Sequence, residues 1–540
     1  GYTIKSDSLW MQNLYNSAFL TNIAVTNRSI TNKIIIMSQN KQSVVKMSNY
    51  RWVMCAMLFF ATTINYLDRQ VLSLTYNDFI APEFHWDDAT YGNITGWFSL
   101  LYACAMLFVG RFVDKFGTKW GYIWAIGVWS LGACAHAVCG VATQWFVGLE
   151  GKEAMIQATG NIALAISTTS MWLFIAARLI LAVGESGNFP AANKVVAEYF
   201  PKKDRAFATS VYNQGAQVGA LLAPLCIPLL AQKWGWEMAF IVIGALGFIW
   251  LVFWYFMYDK PEKSKFVNSA ELEYIHQDSD EPAVVEDNKK DEQVISFWRC
   301  FSFKQTWAFA AGKFFSDGAW WFFLFWMPVY LSSVYGYTTD TPQSRWGLFT
   351  IYFICLFSVI GGYLPKYFVE KKQMEPYAGK MRAMLIFAFI PLLALLAQPL
   401  GSVSFWFPVV IVGIAGASHQ SWSANLFSTV SDMFPRSSVA TITGIGGMAG
   451  GLSCFLFNKL SGILFVYASG TTMVGGQEVE MTKALLESGA QYVRPAMEFM
   501  GFTGKPAGYF IMFCICGLCY LIGWLIMKSL VPKYEPVKVD

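Results

Sequence analysis

The sequence predicts an all-α membrane protein of twelve transmembrane helices arranged as two pseudo-symmetric six-helix bundles. Three observations lead there. Of 540 residues, 55% are hydrophobic and only 14% charged, which leaves a soluble chain of this length short of polar surface. Apolar windows of roughly 20 residues, enough to cross about 30 Å of hydrocarbon as helix, recur along the chain. A charged segment separates six such windows from six more, with a short internal repeat on either side.

In order, the windows fall near 52–80, 91–112, 119–140, 168–198, 206–230, 237–258, 305–335, 346–368, 381–399, 404–432, 439–466 and 507–529. Continuous runs favour helices over a barrel, whose strands alternate apolar and polar residues. Residues 1–48 are polar, lack a signal-peptide pattern and are expected to be a disordered extension. The first bundle spans 49–258. Residues 259–304 form a charged linker, in which Asn268 and Glu271 could cap one short helix. The second bundle spans 305–530, and 531–540 form a tail. Two stretches between spans, Val141–Ser167 and Tyr467–Lys505, are longer than such connections require.

The net charge is +4, and its placement carries the topology. GRFVDKFGTKWG, FPKKDR, the linker, PKYFVEKKQMEPYAGKMR and the tail after Met527 hold most of the Lys and Arg. APEFHWDDAT and AQPLGSVSF hold none. The positive-inside bias therefore puts both termini in the cytoplasm of a multi-pass protein of the inner (plasma) membrane. The eleven Cys lie mostly within spans and read as small apolar residues. Neither a metal nor a cofactor is expected, and no nucleic-acid partner; the chain is expected to work as a monomer in the bilayer.

The repeat has an offset of 234 residues. FPKKDRA at Phe200–Ala206 aligns with FPRSSVA at Phe434–Ala440, Glu198 falls on Asp432, and Glu185 falls opposite His419. A second motif, GRFVDKFGTK, lies between spans two and three. Gly110 and Gly117 permit close approach, Asp114 can face a helix N-terminus, and Lys115 and Lys119 supply flanking cations, together a candidate cytoplasmic gate. The plain alternative is a basic loop obeying the inside rule.

G-x-x-x-D-K-x-G-x-K at Gly110–Lys119, with twelve windows split by a linker, resembles the signature of the major facilitator superfamily over residues 49–530. NYLDR in span one, RLILAVGESGNFPAANKVVAEYFPKKDRA in span four, KFFSDGAWWFFLFWMPVYL in span seven and SHQSWSANLFSTVSDMFP in span ten are similar to its anion:cation symporter branch, and within that to bacterial hexuronate transporters. The resemblance implies the major facilitator fold and proton-coupled uptake of a sugar acid.

A charge at a helix centre costs roughly 2.5 to 3.5 kcal/mol on insertion scales, so each one needs a partner, a wet cavity or a function. Arg keeps its charge and offers a planar fork to a carboxylate, which makes Arg69 the first choice for an anionic substrate. Asp68 and Glu185 can be pushed toward neutral pH by desolvation and are the choices for proton coupling. Arg178, seven residues before Glu185, would hold that acid ionised in one conformation; the resemblance implies the same division of roles. The competing reading is a static network of two acids and two arginines. Lys313 either pairs with Asp317 or serves the substrate from the second bundle. Lys194 and Glu198 read as snorkelling side chains. His419, Gln420, Trp422 and Asn425, with Tyr66, Tyr102, Gln214 and Gln217, offer hydrogen bonds and apolar ring faces suited to a polyhydroxy acid; Trp320 and Trp321 could add to them.

The function expected is import of a sugar acid, a hexuronate such as galacturonate or glucuronate, by proton symport and alternating access. An organic-anion or sugar-phosphate antiporter is the nearest rival. A sensor or enzyme is remote, since no Walker loop, nucleophile elbow or zinc spacing occurs.

Overall fold

A computed structural model describes residues 46–277 and 296–537 apart from Pro435 and Gly475. Most of the expected N-terminal extension and the middle of the linker lie outside the described residues.

The first half contains α1 (Tyr50–Thr75), α2 (Asp88–Phe116), α3 (Thr118–Val147), α4 (Gly160–Glu185), α5 (Asn188–Tyr199), α6 (Lys202–Trp234) and α7 (Trp236–Met257). Helix α8 (Ser269–His276) belongs to the linker. The second half contains α9 (Lys304–Tyr335), α10 (Pro342–Cys355), α11 (Ile360–Lys372), α12 (Pro376–Phe389), α13 (Trp406–Met433), α14 (Arg436–Ser469) and α15 (Lys505–Leu530). Helices α4 and α5 form one bent span, as do α10 and α11, and a 3-10 stretch (Ile390–Leu396) followed by a short α-helix (Ala397–Gly401) continues α12 to Gly401. Twelve spans result among the described residues. Eight helices are apolar enough by composition alone to cross a membrane, and α1, α2, α9 and α13 are not among them. These four trade apolar residues for polar ones facing the protein interior.

Small residues set the close contacts, since lipid offers helices no hydrophobic drive to associate. Helices α3 and α4 run antiparallel: a Cβ on Gly184 would lie 2.2 Å from the Trp129 nitrogen, and one on Gly132 would lie 2.5 Å from that of Leu181. The bundles meet along α2 and α14. A Cβ on Gly92 would sit 2.5 Å from the Asn458 carbonyl, and one on Gly451 would sit 2.1 Å from the Ala103 Cβ. One turn beyond, a Cβ on Gly447 would meet no described atom within 4 Å.

The end of the molecule at which α2 and α15 begin carries an antiparallel hairpin, β1 (Thr471–Val474) with β2 (Gln477–Glu480). This hairpin, the short helix Lys483–Glu487 and a second pairing of Glu498–Phe499 with Phe502–Thr503 account for the long stretch before α15. The other long stretch is mostly helix, because α3 runs to Val147 and α4 starts at Gly160.

At the opposite end, α8 docks on the first bundle. Asn268 caps it, its Oδ1 accepting the Glu271 N–H at 3.0 Å. The fully buried Glu271 carboxylate in turn accepts the N–H groups of Tyr50 and Arg51 at 2.8 and 3.1 Å, and the Arg51 Nη1 at 3.0 Å. This part of the linker is therefore tied to the N-terminus of α1 rather than solvated, because a carboxylate satisfies the free amides of that first turn.

Candidate functional site

Four charged side chains meet inside the first bundle. Arg69 on α1 donates from Nε to Glu185 Oε2 on α4 at 2.7 Å, with both side chains almost wholly buried. The Arg69 guanidinium lies 5.0 Å from the ring of Tyr66, 4.5 Å from Tyr102 of α2 and 5.3 Å from Trp321 of α9. Rings from both bundles thus cover its faces, a cation–π arrangement that strengthens as water is excluded. Its Nη2 is buried without a hydrogen bond, as are both Asp68 oxygens, Glu185 Oε1, and Nε and Nη1 of Arg178. Arg178 lies 5.0 Å over the Phe98 ring. Asp68, Arg69, Arg178 and Glu185 act on one another electrostatically, and their formal charges sum to zero. A neutral quartet is far cheaper to bury than any of its members, yet its unfilled hydrogen-bonding capacity leaves it open to rearrangement.

The pairing differs from the sequence expectation: Arg69, not Arg178, is the hydrogen-bonded partner of Glu185. Two helical turns keep Arg178 about 10 Å along the axis from Glu185. Helix α1 brings Arg69 alongside instead.

In the second bundle, Lys313 and Asp317 pair at 2.6 Å on α9, and the Lys313 Nζ lies 4.8 Å from the Phe427 ring. His419 Nδ1 meets the Tyr520 hydroxyl at 3.0 Å, and its ring stacks on Trp320 at 5.3 Å. Trp422 is fully buried edge-on to Tyr520, and Asn425 Nδ2 donates to the carbonyls of Ser421 and Gly361 at 2.8 and 3.4 Å. These contacts of Trp422 and Asn425 lie within their own bundle, and Trp422 Nε1 is buried without a hydrogen bond. Gln214 and Gln420 are half-buried, and Gln217 keeps a buried Oε1 without a partner. Tyr66 feels Asp317, and Cys454 of α14 feels both Asp317 and Arg69, so the charged groups of the two bundles face each other across one interior.

At the candidate gate, Gly117 is a one-residue turn between α2 and α3 with φ of 81°, a conformation that favours glycine. Gly110 and Asp114 lie in the last turns of α2, and the Asp114 side chain is outside those described. Lys115 is exposed, and Lys119 bridges to Asp259 at 2.9 Å. Glu198, expected to snorkel, accepts from the hydroxyls of Thr118, at 2.6 Å, and Tyr258. Lys194 donates to the Val113 carbonyl at 3.3 Å. Asp432, the repeat partner of Glu198, pairs with Lys380 of α12. In each bundle, the acid therefore holds the connection between that bundle's second and third spans.

Sequence reasoning missed a third charged cluster. Lys505 at the start of α15 bridges Asp88 at the start of α2 and Glu480 of β2, each at 2.8 Å. Tyr76 donates to Asp88 at 3.0 Å, and Ser469 to Glu480 at 2.8 Å. Beside it, Asp78 accepts the N–H and hydroxyl of Thr339 at 2.6 Å, and Asn77 donates to Ser332 at 2.6 Å. These contacts join the two bundles at the hairpin end. The acids of APEFHWDDAT were the available signal.

Membrane helices paired in two similar halves around a charged interior define a secondary transporter rather than an enzyme. A family model described as Major Facilitator Superfamily matches residues 58–458, and the chain belongs to that superfamily. It is 27% identical to a hexuronate transporter of Escherichia coli (strain K12) over 424 residues, covering 78% of this chain and 88% of that protein. To a galacturonate transporter of Dickeya chrysanthemi it is 26% identical over 324 residues, 60% of this chain and 84% of that one. Among solved structures it resembles a bacterial homologue of the human lysosomal transporter Spinster in an inward-facing, unoccupied conformation, with a TM-score of 0.62 at 17% identity over 90% of this chain and 99% of the other.

Proposed function

We propose that the protein imports a hexuronate with protons by alternating access, its linker end facing the cytoplasm of a bacterial inner membrane. The observation that carries the reading is the buried quartet. Arg69 keeps an unfilled donor in an aromatic cage built from both bundles, where a sugar carboxylate can bind and draw the bundles together. A carboxylate reaching Arg69 competes with Glu185 for the guanidinium, and Glu185, losing its partner in a dry site, takes up a proton. Asp68, which has no hydrogen bond of its own, is the second proton carrier. The two named relatives, transporters of a hexuronate and of galacturonate, support the substrate class.

With one proton per monoanion the cycle is electroneutral. With two, a net positive charge enters, and the membrane potential contributes about 2.3 kcal/mol per 100 mV. Anion exchange would call for a second free cation opposite Arg69, and the pairing of Lys313 with Asp317 disfavours that reading. The test is uptake of labelled galacturonate and glucuronate into proteoliposomes under an imposed pH gradient, with a protonophore control. Glu185→Gln is expected to abolish accumulation while sparing exchange. Accumulation that survives both the protonophore and this substitution would refute the proposal.

A further inference from the structure

We infer that His136 is a positioning residue for proton coupling: an uncharged acceptor that takes the Arg178 guanidinium when Arg178 leaves Asp68 and Glu185. The inference rests on the proton-symport reading and adds a residue to it.

His136 lies on α3 and is fully buried. The antiparallel contacts of Trp129 with Gly184 and of Gly132 with Leu181 continue one turn on, placing His136 beside Ala177 and Arg178 of α4. Arg178 acts on it electrostatically. Its Nδ1 lies 2.7 Å from the Gly132 carbonyl, and since a carbonyl only accepts, Nδ1 carries the proton. Nε2 is left as a buried lone pair with no donor, while Nε and Nη1 of Arg178 are buried with no acceptor. An orphaned acceptor and orphaned donors on facing turns are complementary.

The ring is held in place for that contact. It stacks on Phe240 of α7 at 4.8 Å with planes 2° apart and meets Phe174 of α4 edge-on at 5.6 Å. The charged groups around it are few. Arg178 faces it from α4, and Asp68 of α1 acts on neighbouring Cys134. Glu83 lies one turn away beside Gly140, where its carboxylate accepts from Trp236 at 2.8 Å. A second cation beside Arg178 would be repelled, so the imidazole serves as a neutral acceptor, not as a proton carrier.

Arg178 is hydrogen-bonded to neither acid here and acts on both through space; bonded to His136 Nε2, it would favour their ionised forms less and leave them freer to take protons. His136 thereby sets how much Arg178 resists protonation of Asp68 and Glu185. A purely structural histidine would contribute only its ring.

His136→Phe keeps the ring and removes Nε2; His136→Gln removes the ring and keeps an acceptor. Both are measured in proteoliposomes for the pH profile of gradient-driven galacturonate uptake and for counterflow exchange. The Phe variant is expected to lose about tenfold in gradient-driven accumulation and shift the pH profile, with exchange near the parent's, and the Gln variant to restore the parental profile. His136→Leu replaces the Phe variant should that one fail to fold. A parental pH profile in the Phe variant, or equal losses in Phe and Gln variants, would overturn the inference. Failure of the parent to respond to the pH gradient would remove the symport reading and this inference with it.

Discussion

Replacing Lys505 with Met should open the hairpin end of the transporter. The ammonium is about one-fifth exposed and sits between Asp88 and Glu480, whose side chains are 2% and 7% exposed. Removing one partner from a buried ion pair costs roughly 3 to 5 kcal/mol, because a charge is left unpaired in a dry site. Partial exposure of Lys505 lets water recover some of this, leaving about 2 to 3 kcal/mol against the closed arrangement. In the open arrangement both acids are wetted and lose little. At 1.4 kcal/mol per tenfold, the equilibrium should move toward opening by roughly 30- to 150-fold. The readout is alkylation of a Ser332→Cys reporter by a membrane-impermeant maleimide added from the hairpin side, in a background with native cysteines replaced. Ser332 is 9% exposed and bonded to Asn77 across the bundles, so it reacts only when they part. An alkylation rate unchanged by Lys505→Met would refute the assignment of this cluster as the bond that holds the bundles shut.

The same cluster predicts a pH dependence. Burial pushes the Glu480 carboxyl above its usual range, against the opposing effect of Lys505. A pKa higher in the closed than in the open form means that closure binds protons: it is strengthened as pH falls below the raised pKa and weakened as pH rises above it. Glu480→Gln should abolish this pH dependence of Ser332→Cys alkylation. At the other end, burial pushes Glu271 up, but hydrogen bonds from Ser48, from the Arg51 and Tyr50 amides and from the Arg51 side chain outweigh it and hold the carboxyl below its usual range. Its contribution to stability is therefore present above the ordinary carboxylate pKa and lost as pH falls through the depressed one. Glu271→Gln should cost about 1 to 3 kcal/mol, read as a lower melting temperature in detergent. Gly184→Ala should destabilise the first bundle by about 1 to 3 kcal/mol through the clash with Trp129, whereas Gly447→Ala should leave the melting temperature unchanged, since nothing lies within 4 Å of the added methyl.

Much of the candidate site could be located in the sequence without its wiring. Asp68, Arg69, Arg178 and Glu185 stand out because charge is rare in apolar windows, and the cost of burying it marks a position whatever its partners. Which side chain meets which depends on how the helices cross. Arg178 and Glu185 share a helix face, yet Glu185 is bonded from α1 by Arg69, and the Arg69 cage needs Trp321 from the other bundle. Trp422 and Asn425 matched a lining pattern by spacing, but their contacts lie within the second bundle, and on a helix with polar residues all round, spacing does not reveal which of them look toward the other bundle.

The sequence by itself determined the membrane class, the order of spans and the division into two halves, because backbone satisfaction in lipid forces long apolar helices that are readable one at a time. Even the cap of Asn268 on α8 is a local matter, settled within four residues. Only the tertiary structure decided that Lys505 holds Asp88 and Glu480 together, that Glu271 pins the start of α1, and that the helix of His136 packs against that of Arg178. Those contacts join residues far apart in the chain, and their energy exists only where packing has brought the groups together and excluded water between them.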